Sequence, residues 1–211
     1  RGAIVTEFVS GISLARMIAL RALDSQGCID VLRGTLAGLH AMHMLGIAHL
    51  ALKPSNIRLR SAQVDAKVGQ PVLVDLSMAG RRLRPGCAKE GYAAPEIWNK
   101  NPPKEMDPRP ADIYALGCIA WEMWTGTSLP PIETCGSEED AEGNDVPALV
   151  LALENNEALR PMAKWLSDAL HRDPAKRATV EQLTEVLENS AGQMMGQPWP
   201  LPTDLDVDAA E

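Results

Sequence analysis

The longest periodic pattern of apolar residues lies between positions 27 and 45. Its apolar side chains are three and four positions apart, and His43 continues the series formed by Ile29, Leu32, Leu36 and Leu39. That spacing places the apolar side chains on one face of an α-helix. Gly46 is suited to end the helix, because glycine readily adopts the left-handed conformation that follows a last turn. The pattern therefore predicts a helix over residues 27–45 that is buried on one side.

Shorter patterns predict the other elements. A run of apolar and β-branched residues predicts a strand at 4–9, broken by Ser10-Gly11. Two further strands, joined by a polar link, are expected at 57–59 and 72–75. Further helices are expected at 13–22, 111–125, 146–153, 159–171 and 179–188. Thr179 and Gln182 have the spacing of a capping box for the last of these. The expected fold is mainly α, with a short β-hairpin.

Composition narrows the class of protein. The chain has 211 residues, of which 45% are apolar and 23% charged, and its formal charge is −8. These values are typical of a globular protein with a core and argue against a surface made for nucleic acid. No apolar run has the length of a membrane segment. The four cysteines form no C-x-x-C pair, so we expect neither a zinc site nor a disulfide framework, and we expect an intracellular, cytoplasmic setting.

Five short motifs follow one another in a fixed order. His49-Leu50-Ala51-Leu52-Lys53-Pro54-Ser55-Asn56 comes first, then a strand ending at Asp75, then Ala94-Pro95-Glu96, then an apolar helix opening with Asp112, and last an Asp-Pro-x-x-Arg segment ending at Arg177. Each motif is common by chance, but their order is not. From Ile4 to Glu188 the chain resembles the larger, helical lobe of a protein kinase.

The resemblance implies a domain organisation. Residues 1–189 correspond to a kinase hinge followed by the larger lobe, a mainly α (α+β) fold with a short hairpin beside the catalytic loop. Little of the smaller lobe precedes Ile4, so we expect a fragment or a truncated kinase-like domain. Residues 190–211 are acidic and contain Pro and Gly, and we expect them to form a disordered tail.

The resemblance also implies ligands. In the family an Asn and an Asp hold two magnesium ions, a Lys neutralises the transferring phosphate, and the hinge backbone binds adenine. Their counterparts are Asn56 and Asp75 for Mg²⁺, Lys53 for phosphate, and the Glu7 carbonyl and Val9 amide for ATP. The alternative is that Asn56 makes only a turn and Asp75 only caps a strand.

Several residues depart from the family pattern at the reactive positions. The Asp that accepts the substrate proton is Ala51, and the Arg before it is Leu50. Ser77 replaces the glycine of the Asp-Phe-Gly motif, and Lys89 replaces a Thr that contacts the base. General-base catalysis is typically worth roughly 10²–10⁴ in rate. Ala51 therefore implies impaired catalysis and does not by itself imply none.

The loop between Asp75 and Glu96 is basic. Its cationic side chains form either a solvated loop or a docking strip for an acidic partner or for the chain's own acidic residues 138–142; they are Arg81, Arg82, Arg84 and Lys89. The supporting residues of the family are retained. Asp112 is expected to hold the backbone of the catalytic loop, and Glu96 is expected to pair with Arg177. We expect no metal role for His40, His43 and His49.

Three hypotheses follow. The first is a pseudokinase, a regulatory or binding module that retains the residues for Mg-ATP. The second is a divergent, active Ser/Thr protein kinase that transfers the ATP γ-phosphate to protein substrates. The third is a helical interaction domain unrelated to kinases. Ala51 favours the first over the second.

Overall fold

The fold comes from a computed structural model. It describes residues 5–60, 68–83, 91–97, 105–129, 146, 150, 153–155, 157, 159–197 and 199–201. Within these residues the chain is mostly helical, and no helix is long and apolar enough to cross a membrane. The described α-helices are α1 (Leu14–Ala19), α2 (Ser25–His43), α3 (Arg109–Thr125), α4 (Arg160–Leu170) and α5 (Val180–Met195).

A small antiparallel sheet lies beside α2. Its strands are β1 (Gly11–Ser13), β2 (Ile57–Arg60) and β3 (Gln70–Leu73), with β2 in the centre. Arg58 lies opposite Ser13 on one side and Val72 on the other. On β2 the buried Ile57 and Leu59 alternate with the half-buried arginines, so one face of the strand packs on the core and the other carries charge.

Local signals explain where the helices begin and end. The Asp24 side chain accepts from the Gly27 amide and caps α2. Thr179 and Gln182 exchange the two hydrogen bonds of a capping box at the start of α5, which confirms that prediction. Gly126 ends α3 with φ +72°, in the left-handed region that glycine tolerates best.

The core lies between α2, α3, α4 and α5. Trp165 on α4 is fully buried, and its ring meets that of Trp124 on α3 edge to face, with 5.8 Å between centroids. Nearly every residue of α3 is buried, as its continuous apolar sequence predicts. The sheet approaches α2 closely at Gly34, where a Cβ would lie 2.6 Å from the Pro71 ring. A larger residue there would therefore force the sheet away from the helix.

The predicted strand at 4–9 is wrong for its described part. Residues 5–10 form neither helix nor strand, and the strand begins at Gly11 instead. The physical reason is pairing: Gly11–Ser13 bonds to β2, whereas no described strand lies beside residues 5–8. The first helix is also shorter than predicted, because the chain turns after Ala19 and Arg21 has φ +49°.

The last helix is longer than predicted. It runs to Met195 rather than to about residue 188, and Ser190, Ala191 and Met194 are buried on it. Beyond the helix, the Leu201 amide donates to the Trp124 carbonyl at 2.9 Å, and Leu201 is buried. The prediction that a disordered tail begins at residue 190 is therefore wrong up to Leu201, because apolar residues of this segment pack on the core. Residues 202–211 lie outside the described part, as do most of the helix expected at 146–153 and the loop at 133–145.

Candidate active site

One buried carboxylate holds the backbone near the start of the segment 48–56. Asp112, near the start of α3, is 1% exposed. Its Oδ2 accepts from the His49 amide at 2.7 Å and its Oδ1 from the Leu50 amide at 2.8 Å. His43 of α2 contacts the same Oδ2 through Nε2 at 2.9 Å. The role predicted for Asp112 is confirmed, and His43 links helix α2 to the same network.

Leu50 occupies the left-handed region, with φ +61°. A non-glycine residue there costs about 1 kcal/mol or more, and the two hydrogen bonds to Asp112 on either side of this peptide hold the turn. The Leu50 side chain is 4% exposed and is part of the core. It therefore stabilises the domain by burial and presents no charge to a phosphate.

Ala51 is also buried, at 3% exposure. Its amide donates to His49 Nδ1 at 3.3 Å, and its carbonyl accepts from Asn56 Nδ2 at 2.8 Å. If His49 Nδ1 accepts, Nε2 carries the proton and donates to the Val74 carbonyl, 3.1 Å away. The loop is thus ordered around Ala51 by hydrogen bonds of the Ala51 backbone to the side chains of His49 and Asn56. A methyl group can neither accept a proton nor orient a hydroxyl.

Asp75 stands where β3 leads into a short 3₁₀ turn at Leu76–Met78. Its φ of +65° and ψ of +66° lie in the left-handed region, and its side chain is exposed. Ser77 Oγ donates to Asp75 Oδ1 at 2.6 Å, and Asn56 Nδ2 approaches Oδ2 at 3.4 Å. The hydrogen bond from Ser77 is the main reason why the Asp75 pKa is lowered, so this carboxylate is ionised at neutral pH.

The donor set of Asn56 and Asp75 suits magnesium. Both hydrogen bonds of the Asn56 side chain use Nδ2, so Oδ1 is the atom suited to a cation. The ionised Asp75 carboxylate lies beside it. Mg²⁺ prefers oxygen ligands and typically takes only one or two from protein, with water and phosphate completing the shell. Within the described residues, no group of three or more His, Cys, Asp or Glu side chains is arranged to hold a metal ion, and a two-ligand magnesium site does not require one.

Lys53 precedes the 3₁₀ turn Pro54–Asn56 in an extended conformation, with φ −165°. Its side chain is half-buried and forms no ion pair within the described part of the chain. The turn itself is tied to the end of β3, because the Val74 amide donates to the Asn56 carbonyl at 2.9 Å. Lys53 therefore lies on the same hydrogen-bonded loop as Asn56, and no ion-pair partner for it lies within the described ranges.

The hinge segment lies at the sheet edge before β1. Glu7 is exposed and its carboxylate pairs with Arg60 at the end of β2. Val9 is buried, at 8% exposure. Arg58, half-buried on the charged face of β2, makes no ion pair within the described residues. Of the predicted site residues, Ala51, Asn56 and Asp75 are joined by hydrogen bonds. The Asn56 amide also donates to the Lys53 carbonyl at 2.9 Å, so Lys53 is joined to this group through its backbone. No hydrogen bond or ion pair between described residues joins Glu7 or Val9 to it.

The predicted pair of Glu96 and Arg177 is confirmed and is buried. The two guanidinium nitrogens donate to the two Glu96 oxygens at 2.6 and 2.7 Å. The side chains are 8% and 0% exposed. Arg177 also donates to the carbonyls of Pro110, His171 and Arg172, and its guanidinium lies 5.0 Å from the Tyr114 ring centre. This network joins the Ala94-Pro95-Glu96 motif to the start of α3.

Two features of the site could not be inferred from the sequence. The motif pattern indicates Ser77 as the replacement of a glycine, whereas the structure shows that its hydroxyl holds the Asp75 carboxylate. His43 was assigned to the apolar stripe of α2, whereas its ring bonds to Asp112. A polar residue within an apolar stripe was the available signal for His43. Of the four basic loop residues, Arg81 and Arg82 are described and exposed, and Arg84 and Lys89 lie outside the described part.

Comparison with known proteins identifies the family. The protein kinase domain model matches residues 2–187, so the chain belongs to the protein kinase family. Among curated relatives, the chain is 36% identical over 129 residues to the inactive serine/threonine-protein kinase PLK5 of Mus musculus, covering 60% of this chain and 20% of that protein. It is 30% identical over 189 residues to calcium-dependent protein kinase 12 of Oryza sativa subsp. japonica, covering 86% and 34%.

A third relative, serine/threonine-protein kinase cds1 of Schizosaccharomyces pombe, is 33% identical over 132 residues, covering 60% of this chain and 28% of that protein. The chain therefore spans between about a fifth and a third of the length of these three relatives. These relatives include both a kinase named inactive and kinases named without that qualification.

Proposed function

We propose that this chain is a pseudokinase domain, a regulatory or binding module of the protein kinase family with little phosphotransfer of its own. The observation that carries the proposal is Ala51, a buried methyl group at the position of the proton acceptor, in a loop whose backbone is otherwise fully supported. The described elements correspond to the hinge and larger lobe of a kinase. The Asp112 contacts and the Glu96–Arg177 pair support that correspondence.

The module is proposed to retain a site for Mg-ATP. Asn56 Oδ1 and the Asp75 carboxylate would hold the metal, Lys53 would face the phosphates, and the backbone of Glu7 and Val9 would face the base. Bound magnesium would neutralise phosphate charge. The chain's own contribution is a rigid loop that presents two oxygen ligands and one unpaired ammonium. Arg58 occupies the position at which the family usually has an apolar residue under the adenine. It is therefore expected to weaken adenine binding, because the neutral ring would have to cover a cation.

A divergent, active Ser/Thr kinase is the second candidate. It is favoured by the contact between Asn56 and Asp75, which keeps both oxygen ligands beside the loop. Positioning and metal contributions can persist when a general base is lost, because the base typically accounts for only roughly 10²–10⁴ of the rate.

The deciding experiment is a phosphotransfer assay on the full-length gene product with Mg-ATP, measuring autophosphorylation and transfer to casein. Asp75→Ala is the active-site variant, and Asp107→Asn, an exposed carboxylate outside the loop, is the matched control. We expect no transfer above that of Asp75→Ala. Transfer that Asp75→Ala abolishes and Asp107→Asn leaves unchanged would refute the pseudokinase proposal and establish the second candidate.

Nucleotide binding is tested separately by thermal denaturation with and without Mg-ATP. A ligand that binds the native state raises the melting temperature by mass action. We expect a shift that needs both Mg²⁺ and ATP and that Asp75→Ala removes. The same shift in Asp75→Ala would show that these oxygens do not hold the metal.

A further inference from the structure

A groove of about 560 Å³ opens at the C-terminal end of α2, outside the candidate active site. Its lining includes two exposed apolar side chains, three arginines and residues from the segment before α3. The lining residues that carry the argument are Met44, Leu45, Arg81, Arg82, Glu105, Asp107 and Arg109. We call this feature the basic groove.

The apolar part of the basic groove is exposed and rigidly held. Met44 is 70% and Leu45 63% exposed. They stand on a tight turn in which Gly46 has φ +68° and donates to the His43 carbonyl at 2.9 Å, while the Ile47 amide donates to the Met42 carbonyl at 3.0 Å. Adjacent large apolar residues that are exposed on fixed backbone are typical of interaction sites.

Arg81 and Arg82 of the basic groove also lie on backbone that is held in place on both sides. Gly80 and Ala48 exchange two backbone hydrogen bonds, each of 2.9 Å, immediately before Arg81. Leu83, immediately after Arg82, is buried at 9% exposure. Arg81 and Arg82 therefore stand between two anchored residues. Both side chains are exposed, and neither forms an ion pair within the described part of the chain.

The other charged residues of the basic groove do not cancel the positive charge of Arg81 and Arg82. Asp107 and Arg109 neutralise each other through hydrogen bonds of 2.7 to 2.9 Å. Glu105 is exposed and is the single acidic side chain of the lining left without a cationic partner among the described residues. The unpaired charges are thus two positive and one negative, on a chain whose formal charge is −8. The groove is a local exception to the acidic character of the chain, and it attracts anions.

We propose that the basic groove docks an acidic segment of a partner protein that carries a large apolar residue. Its carboxylates would pair with Arg81 and Arg82 through charge-assisted hydrogen bonds, and its apolar side chain would cover Met44 and Leu45. Recognition of acidic motifs by arginine clusters is a recurrent mode of peptide binding. The inference rests on the proposed role as a binding module and names the surface and the chemistry of its partner.

The experiment measures peptide binding to the full-length gene product by fluorescence anisotropy, without nucleotide. The probe is a labelled peptide of sequence Asp-Glu-Leu-Asp-Glu-Met-Asp-Glu, and its control is the same peptide with Asn and Gln in place of the acids. We expect saturable binding of the acidic peptide, at least tenfold tighter than that of the neutral one. The double variant Arg81→Glu with Arg82→Glu should weaken binding at least tenfold, and Met44→Ser with Leu45→Ser should weaken it by a smaller factor.

Arg16→Glu, an exposed arginine on α1, is the matched control and should bind as the unaltered protein does. Equal binding of the neutral peptide, an equal loss in Arg16→Glu, or no saturable binding would overturn the proposal. A variant with residues 138–142 neutralised (Glu138→Gln, Glu139→Gln, Asp140→Asn, Glu142→Gln) tests the internal alternative. A tenfold gain in that variant would show that the chain occupies its own groove and would also overturn docking of a partner.

The groove proposal and the pseudokinase proposal can each be refuted without refuting the other. Turnover abolished by Asp75→Ala would refute the pseudokinase proposal and would leave the peptide result as it stands. Absent peptide binding in a protein without turnover would refute the groove alone.

Discussion

Two sets of residues differ in the hydrogen bonds that their side chains make. One set holds the catalytic loop in place, and the other occupies the reactive positions on that loop. Asp112 and Arg177 are almost fully buried, and each makes several hydrogen bonds to backbone or to a buried partner. On the loop, Ala51 carries no polar side chain, and Leu50 is part of the apolar core. Asp112 and Arg177 thus have the polar partners that their burial requires, whereas on the pseudokinase proposal the loop lacks the base that phosphoryl transfer requires.

The physical reason for this difference is that substituting the two sets of residues lowers the folding stability by different amounts. Removing one partner of a buried ion pair leaves an uncompensated charge, at a typical cost of about 3–5 kcal/mol of folding stability. Replacing a catalytic carboxylate by a methyl group leaves no buried polar group unpaired. The loss of a base that we propose at Ala51 would therefore carry no folding cost of that kind.

The largest expected effect is on the rate of phosphotransfer. Ala51→Asp restores a carboxylate at the position of the base and should raise phosphotransfer by roughly 10²–10⁴, equivalent to about 3–5 kcal/mol of barrier. Ala51→Asn, of similar size but unable to accept the proton, is the control and should have no such effect. The measurement is the initial rate with Mg-ATP. No increase, or the same increase in Ala51→Asn, would mean that the missing base does not limit the rate.

The next largest effect is on stability. Arg177→Ala should lower the free energy of unfolding by about 3–5 kcal/mol, because Glu96 is left buried without its partner. Urea denaturation followed by circular dichroism measures the change. The double variant Glu96→Leu with Arg177→Met replaces the pair by apolar groups and should recover much of the loss. An equal loss in the double variant would attribute the effect to packing and to the lost carbonyl contacts instead.

Asp112→Asn tests the link between the scaffold and the loop. An amide offers one oxygen where the carboxylate offers two, so one or more buried donors lose their acceptor, at a cost of about 1–3 kcal/mol. Hydrogen exchange should accelerate at the amides of His49 and Leu50. Asp107→Asn, which breaks only an exposed ion pair with Arg109, should cost no more than about 0.2–1 kcal/mol and should leave exchange at these amides unchanged. Unchanged exchange in Asp112→Asn would contradict the support assigned to this residue.

The smallest effect is expected at an exposed ion pair. Arg33 on α2 donates to both oxygens of Glu188 on α5, with side chains 38% and 48% exposed. Arg33→Ala should cost only about 0.2–1 kcal/mol, and less at high salt. The hydrogen bond from Arg33 lowers the Glu188 pKa. The contribution is therefore present above the ordinary pKa of a glutamate and is lost as the pH falls through the lowered value. A loss as large as that of Arg177→Ala would contradict the distinction between buried and exposed pairs.

Much of the fold was predictable because the signals are local. The three- and four-residue spacing predicted α2 to within two residues at each end, and the capping box placed the start of α5. The strand predicted at 4–9 failed because a strand needs a neighbour, and β2 pairs with Gly11–Ser13 instead. The end of α5 was misplaced because residues 190–195 are helical through their packing on the core, which the Pro- and Gly-containing sequence after them obscured.

The sequence by itself determined the order of the motifs and the alanine at position 51, since these depend only on which residues are present. The pairing of Glu96 with Arg177 was implied by the family resemblance, and the structure confirms it. Only the tertiary structure decided that His43 and Asp112 share one network, that Ser77 holds Asp75, and that Met44 lies beside Arg81 and Arg82 in one groove. These contacts join residues from different elements or depend on left-handed backbone at Leu50 and Asp75. Long-range packing determines both these contacts and these backbone conformations, and no local spacing along the chain encodes that packing.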